Sequence, residues 1–264
     1  MDTYEEDYTS WLRANGCSER TIKDRLGMLR RFARTHPTFP TVSAGQITTW
    51  IGRPSYAAWS RATYYGHLRS YFTYALTNDL LTIDPMARMR RPKPGKCVPR
   101  PLTAEQVDAV MSCAQPNVRA WLTLGLFAGL RASEIAKIRA EDIQEDAIFI
   151  LGKGGQEAYV PTHPAIWVMA LSLPRTGWLF PSPSASGHVR TQVVSAMTSA
   201  LFTTHGIEGS IHRMRHTFAT RLLRAGVNVR VVQTLMRHAS LASTMIYCAV
   251  DEVERRDAIS LLAA

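Results

Sequence analysis

Pro92, Pro94, Pro99 and Pro101, with Gly95 among them, fall in one short run, ARMRRPKPGKCVPRPLT. Proline lacks a backbone N–H and clashes with the preceding helical turn, so this run excludes a helix and favours an extended path. Arg88, Arg90, Arg91, Lys93, Lys96 and Arg100 make it strongly basic. A chain of 264 residues, 46% hydrophobic, is long enough for two cores. The expected division is a first domain over residues 1–90, a basic proline-rich linker over 91–101, and a second domain over 102–264.

The first part predicts four helices. Asp2 to Arg13 carries acids at its start, which suits the helix dipole, and ends at Gly16. Ser18 caps the next, ERTIKDRLGMLRRFART, with Ile22, Leu26, Leu29 and Phe32 inward and Arg20, Lys23, Arg30, Arg31 and Arg34 outward. A third is expected at about Ser43–Ile51 and a fourth from Ser60 to Thr77, with Tyr64, Leu68, Tyr71, Phe72 and Ala75. The formal net charge of +10 points to a polyanionic partner. On these residues alone, a DNA-gripping module and a plain bundle with solvated arginines fit equally.

In the second part, Thr103 and Gln106 form a capping box for TAEQVDAVMSCA. Asn117 opens VRAWLTLGLFAGL, apolar on all sides and therefore a buried central helix that ends at Gly129. Arg131 follows, Ser133 is expected to cap SEIAKIRAEDI, and Glu134 lies where it can brace Arg131. AIFIL and EAYVP predict a β-hairpin around Gly152-Lys153-Gly154-Gly155-Gln156. Its GKGG lacks the spacing and the following helix of a P-loop, which excludes that nucleotide site. HPAIWVMALSL and RTQVVSAMTSALFTTHG are further helices.

The stretch from Ile211 to Tyr247 then places His212 and Arg215 on one helical face. That helix stops at Gly226, and another runs from about Asn228 with Val229, Val232 and Leu235 or Met236 as its stripe. His238 and Tyr247 follow, and no acidic residue occurs from His212 to Tyr247, so the stretch suits an anion. The four cysteines are scattered without a CxxC pair, which suggests neither a zinc site nor a disulfide framework. No apolar run reaches the ~18–20 residues of a membrane span, and the acidic N-terminus is unlike a signal peptide. A cytoplasmic protein is expected.

HxxRHTFATxLLxxG, a histidine before a small residue, and TxxY resemble the second signature box of the tyrosine recombinases, the phage integrase family. GLRASEIAKIRAEDI resembles the first box, and SERTIKDRLGMLRRF with YYGHLRSYFTYAL is similar to the family's SAM-like core-binding domain. Two departures stand out: Met236-Arg237-His238 replaces the usual Leu-Gly-His, and Ala249 replaces a histidine. The resemblance implies a mainly α fold with a small antiparallel sheet, a four-helix SAM-like N-terminal domain, and a catalytic domain. It implies Tyr247 as nucleophile, Arg131 and Arg215 on the phosphate, and His212 and His238 as hydrogen-bond or proton partners. Lys153 is implied as acid to the leaving oxygen, and Glu134 as support. Arg20, Lys23, Arg61, Arg69, Arg91, Lys93 and Arg237 are candidate DNA contacts.

The implied reaction forms a 3′-phosphotyrosine and a free 5′-hydroxyl, with no metal, ATP or other cofactor. The implied partners are double-stranded attachment or crossover sites bound by a homotetramer on two duplexes, the free protein being a monomer or weak oligomer, with no membrane partner. Phage or mobile-element integration and excision is the expected role. Chromosome-dimer or plasmid resolution, a type IB topoisomerase and a non-catalytic helix-turn-helix regulator are the alternatives. The chain begins almost directly with the core-binding helices, so no separate arm-binding domain is expected. Its last residues suit a helix docking into a neighbouring protomer, and Leu262-Ala263-Ala264 is similar to a bacterial degradation tag.

Overall fold

Short polar side chains set the first helix boundaries in a computed structural model that describes residues 2–95, 100–152, 157–237 and Thr244. The chain forms two compact units, Met1–Lys96 and Cys97–Ala264. In the first, α1 (Asp2–Ala14) precedes α2 (Glu19–Thr35), where Ser18 Oγ accepts the Thr21 N–H. α3 (Ala44–Ile51) starts in a capping box: Ser43 Oγ accepts the Gln46 N–H, and Gln46 accepts the Ser43 N–H. α4 (Ala58–Thr77) completes the set. The helical stripes meet in an aromatic core of Tyr8, Phe32, Trp50, Tyr71 and Phe72, with Phe32 edge-on to Trp50 at 5.0 Å.

The second unit is built around α6 (Pro116–Phe127), buried on nearly every side as its all-round hydrophobicity predicts. Its start differs from the sequence expectation. Pro116, not the residue after Asn117, takes the first helical position, where its missing N–H leaves nothing unsatisfied. α5 (Ala104–Cys113) begins at the expected Thr103–Gln106 box. α7 (Ala132–Lys137) corrects a second expectation: Ser133 lies inside the helix, and the Glu134 carboxylate accepts the Arg131 N–H at its start. A 3-10 turn, Ala140–Asp142, leads to the hairpin.

Strands β1 (Ala147–Leu151) and β2 (Glu157–Pro161) pair antiparallel with Ile148 opposite Val160 and Phe149 opposite Tyr159. Ile148, Ile150 and Val160 are buried while Tyr159 is exposed, the period-two alternation of a sheet with one face on the core. α8 (Pro164–Leu171), α9 (Thr191–Thr204), α10 (His212–Arg224) and α11 (Val229–Leu235) follow. Gly226 at φ +79° ends the α10 turn in the left-handed region, as its sequence position predicts. α10 crosses α6 closely, because a methyl group at Gly125 would lie 3.0 Å from Met214 Cβ. No helix among the described residues is long and apolar enough to cross a membrane. The expected final helix after Tyr247 lies outside the described residues.

Candidate active site

Gly129 brings the elements of the site together. It sits at φ +59° after α6, and a Cβ there would meet Phe218 Cδ1 at 2.7 Å, so α10 packs against bare backbone. The buried Gly129 carbonyl accepts bonds from Arg215 Nη1 on α10 and from Arg237 Nη2 past α11, the latter at 3.0 Å. Arg215 also donates through Nη2 to the Met236 carbonyl. Arg131 Nη2 donates to the next carbonyl, Arg237 O, at 3.2 Å. Arg131 and Arg215 thus hold two successive carbonyls immediately before His238.

A buried carboxylate lies at the centre of these cations. Glu134 Oε1 accepts Arg131 Nη1 at 2.7 Å, and Oε2 accepts both the Arg131 N–H and Arg237 Nη2 at 2.8 Å. Arg215 Nη1 stands 4.0 Å from Oε2. The Glu134 side chain is 4% exposed, Arg215 6%, Arg237 10% and Arg131 36%. Three guanidinium groups against one carboxylate leave the cluster positive, and Arg131 is its most open member. Burial raises the Glu134 pKa, but the Arg237 charge and then the Arg131 bonds bring it below the ordinary carboxylate value.

His212 opens α10 one turn before Arg215 and is exposed to solvent. Crowding around its ring, then the charges of Arg215 and Arg131, lower its pKa, with Glu134 pulling the other way. The ring is therefore neutral near pH 7 and able to donate or accept. His216, one turn further on, is pushed down to about 4 by burial and by His212, Arg215 and Arg213. Together these groups can bind an oxyanion through charge-assisted hydrogen bonds and exchange a proton beside it.

The structure brings Arg131, Glu134, His212 and Arg215 into one neighbourhood, while Lys153, His238 and Tyr247 lie outside the described residues. Arg237, a candidate phosphate contact, bonds within the protein in this structure. Its guanidinium turns inward to Glu134, Gly129 O and, at 2.8 Å, Leu235 O. Its backbone stands at φ +52°, a conformation that costs a non-glycine residue about 1–2 kcal/mol.

Among the other candidates, Arg20 pairs with Asp24 at 3.4 Å and Arg69 with Asp84 at 2.5 Å. Lys23, Arg91 and Lys93 are exposed, and half-buried Arg61 donates to the Arg53 carbonyl at 3.3 Å. Arg31, expected on an outer face, packs among aromatic rings. The guanidinium lies 4.6 Å from the Tyr64 ring centroid and is flanked by Trp50 and Tyr56, while Arg53 lies 5.8 Å from Trp50. The rings around Arg31 come from other elements, Trp50 on α3 and Tyr64 on α4, so no local spacing marks the contact.

The phage integrase family profile matches residues 100–254, more than half of the chain. A tyrosine recombinase XerD of Shewanella oneidensis is 32% identical over 280 aligned positions, covering 94% of this chain and 90% of its own. The chain belongs to the tyrosine recombinase, or phage integrase, family.

Tyrosine recombinases are enzymes that cleave and rejoin DNA. An integrase from mycobacterium phage Brujita resembles this recombinase at 35% identity, covering 98% of this chain and 92% of that one, with a TM-score of 0.53. The Tn1549 transposon integrase in complex with transposon right-end DNA gives a TM-score of 0.78 at 18% identity, over 99% of both chains. That likeness shows the fold, mainly helical with a small antiparallel sheet.

Proposed function

We propose that this recombinase is a site-specific DNA integrase that inserts and excises a phage or mobile element through a 3′-phosphotyrosine intermediate. The observation that carries the reading is the convergence of Arg131 and Arg215 around Glu134, with neutral His212 beside them. Arg131, the open member, can hold non-bridging phosphate oxygens, and the buried charge of Arg215 beside it helps to stabilise the charge that grows on them during attack. Tyr247 supplies the phenolate. An ordinary phenol pKa near 10 makes it a poor nucleophile until a base removes the proton, the role open to His212 or His238. Lys153 protonates the departing 5′ oxygen. The phosphotyrosyl bond conserves the energy of the broken phosphodiester, and a 5′-hydroxyl from a second duplex reverses the step. Four protomers on two duplexes supply the paired cuts.

Integration is favoured by the Brujita likeness, which extends over nearly the whole of both chains. Chromosome-dimer resolution is the second reading, favoured by the similarity to XerD of Shewanella oneidensis. Sequencing the DNA attached covalently to the protein in its host cell separates them. Sites at the ends of a mobile element and at its insertion point are expected. A single chromosomal locus, occupied in cells without any element, contradicts integration and supports resolution. Absence of attached DNA contradicts both.

A further inference from the structure

Position 237 is one of the two places where this chain departs from the pattern it resembles, with arginine where glycine is usual. The backbone there keeps the left-handed conformation that glycine adopts freely, φ +52°, so the arginine is held in spite of its own preference. What holds it is a buried network: Glu134 Oε2 at 2.8 Å, Gly129 O at 3.0 Å and Leu235 O at 2.8 Å. Its own carbonyl accepts Arg131 Nη2 at 3.2 Å. Arg237 therefore binds both the carboxylate that fixes Arg131 and the carbonyl that fixes Arg215, from the residue adjoining His238.

We propose that Arg237 is a positioning residue for strand cleavage, a strap that locks Glu134 and the Gly129 turn to the backbone leading into His238. This rests on the reading of Arg131, Arg215 and His238 as parts of the cleavage site. The strap acts through Glu134, which faces Arg131 from α7, Arg215 from α10 and Arg237 from the end of α11, with His212 within reach of its charge. Arg237 is also the strongest of the charges opposing the burial of that carboxylate. Its removal therefore frees Glu134 to titrate at higher pH and loosens the hold on Arg131.

The test uses the full-length protein as wild type, Arg237→Gly, Arg237→Lys, Glu134→Gln and the double variant Glu134→Gln/Arg237→Gly. Glycine suits the backbone at this position, and lysine keeps the charge without the planar fork. Single-turnover cleavage of a suicide-nicked site is expected to slow about 10–100-fold in Arg237→Gly, as for other small misplacements of reacting groups. Duplex affinity and its salt slope should stay as in wild type, and Arg237→Lys should recover part of the rate. The double variant should be no slower than Glu134→Gln alone.

The Glu134 carboxyl, followed by carbon-13 NMR, should titrate at higher pH in Arg237→Gly than in wild type. A salt slope reduced by about one would make Arg237 a phosphate contact and overturn the proposal. So would an unchanged Glu134 titration, or losses that multiply in the double variant. Should wild type form no covalent complex, the parent reading fails at that step, while the Glu134 titration still decides whether Arg237 controls this carboxylate.

Discussion

His216 shows at one residue how the charge of the site acts on the fold. Burial and the neighbouring His212, Arg215 and Arg213 push its pKa down to about 4, so the folded protein favours the neutral ring. The unfolded chain takes up the proton near pH 6.5, before the folded chain does. Stability is therefore lost as pH falls from about 6.5 to about 4, by up to about 1.4 kcal/mol per pH unit from this group. Thermal melts should show wild type losing more stability between pH 7 and 5 than His216→Gln, in which this proton uptake is absent. Equal losses would mean that the ring does not titrate low. Glu134 shows the complementary effect: its carboxylate lies among Arg131, Arg215 and Arg237, without which three buried or half-buried cations would repel one another.

At the scale of elements, the site depends on α6 and α10 meeting at a glycine. Gly129→Ala adds a methyl 2.7 Å from Phe218 Cδ1 at a backbone of φ +59°, combining overpacking with strain. The variant is expected to lose roughly 2–4 kcal/mol of stability in denaturant unfolding, from overpacking and a disfavoured backbone conformation together. A loss within experimental error would mean that the turn relaxes freely and does not fix Arg215. Much of this architecture was legible beforehand, because α2, α3 and α5 carry their own caps at Ser18, Ser43 and Thr103. The start of α7 was not. Ser133 is a good cap by residue type, but the Arg131 N–H is satisfied by the Glu134 carboxylate, itself buried and paired with Arg237. The setting of Arg237 was equally hidden: an arginine in a basic stretch ordinarily faces solvent, and only the packed structure reveals a buried carboxylate within its reach.

The whole molecule combines two cores with an excess of positive charge, +10 over the chain. Unit Met1–Lys96 has its own aromatic centre in Tyr8, Phe32, Trp50 and Phe72. A fragment of residues 1–96 is therefore expected to fold alone and unfold cooperatively when followed by circular dichroism. A featureless melt would show that it needs the second unit. The arginine cluster is proposed to serve a tyrosine that becomes joined to DNA. The most direct test incubates wild type and Tyr247→Phe with a suicide-nicked duplex carrying the host-derived site, then resolves the products on a denaturing gel. Wild type should yield a covalent protein–DNA band, and Tyr247→Phe none, at equal duplex affinity. A band that persists in Tyr247→Phe, or none in wild type on a duplex it binds, would contradict that role.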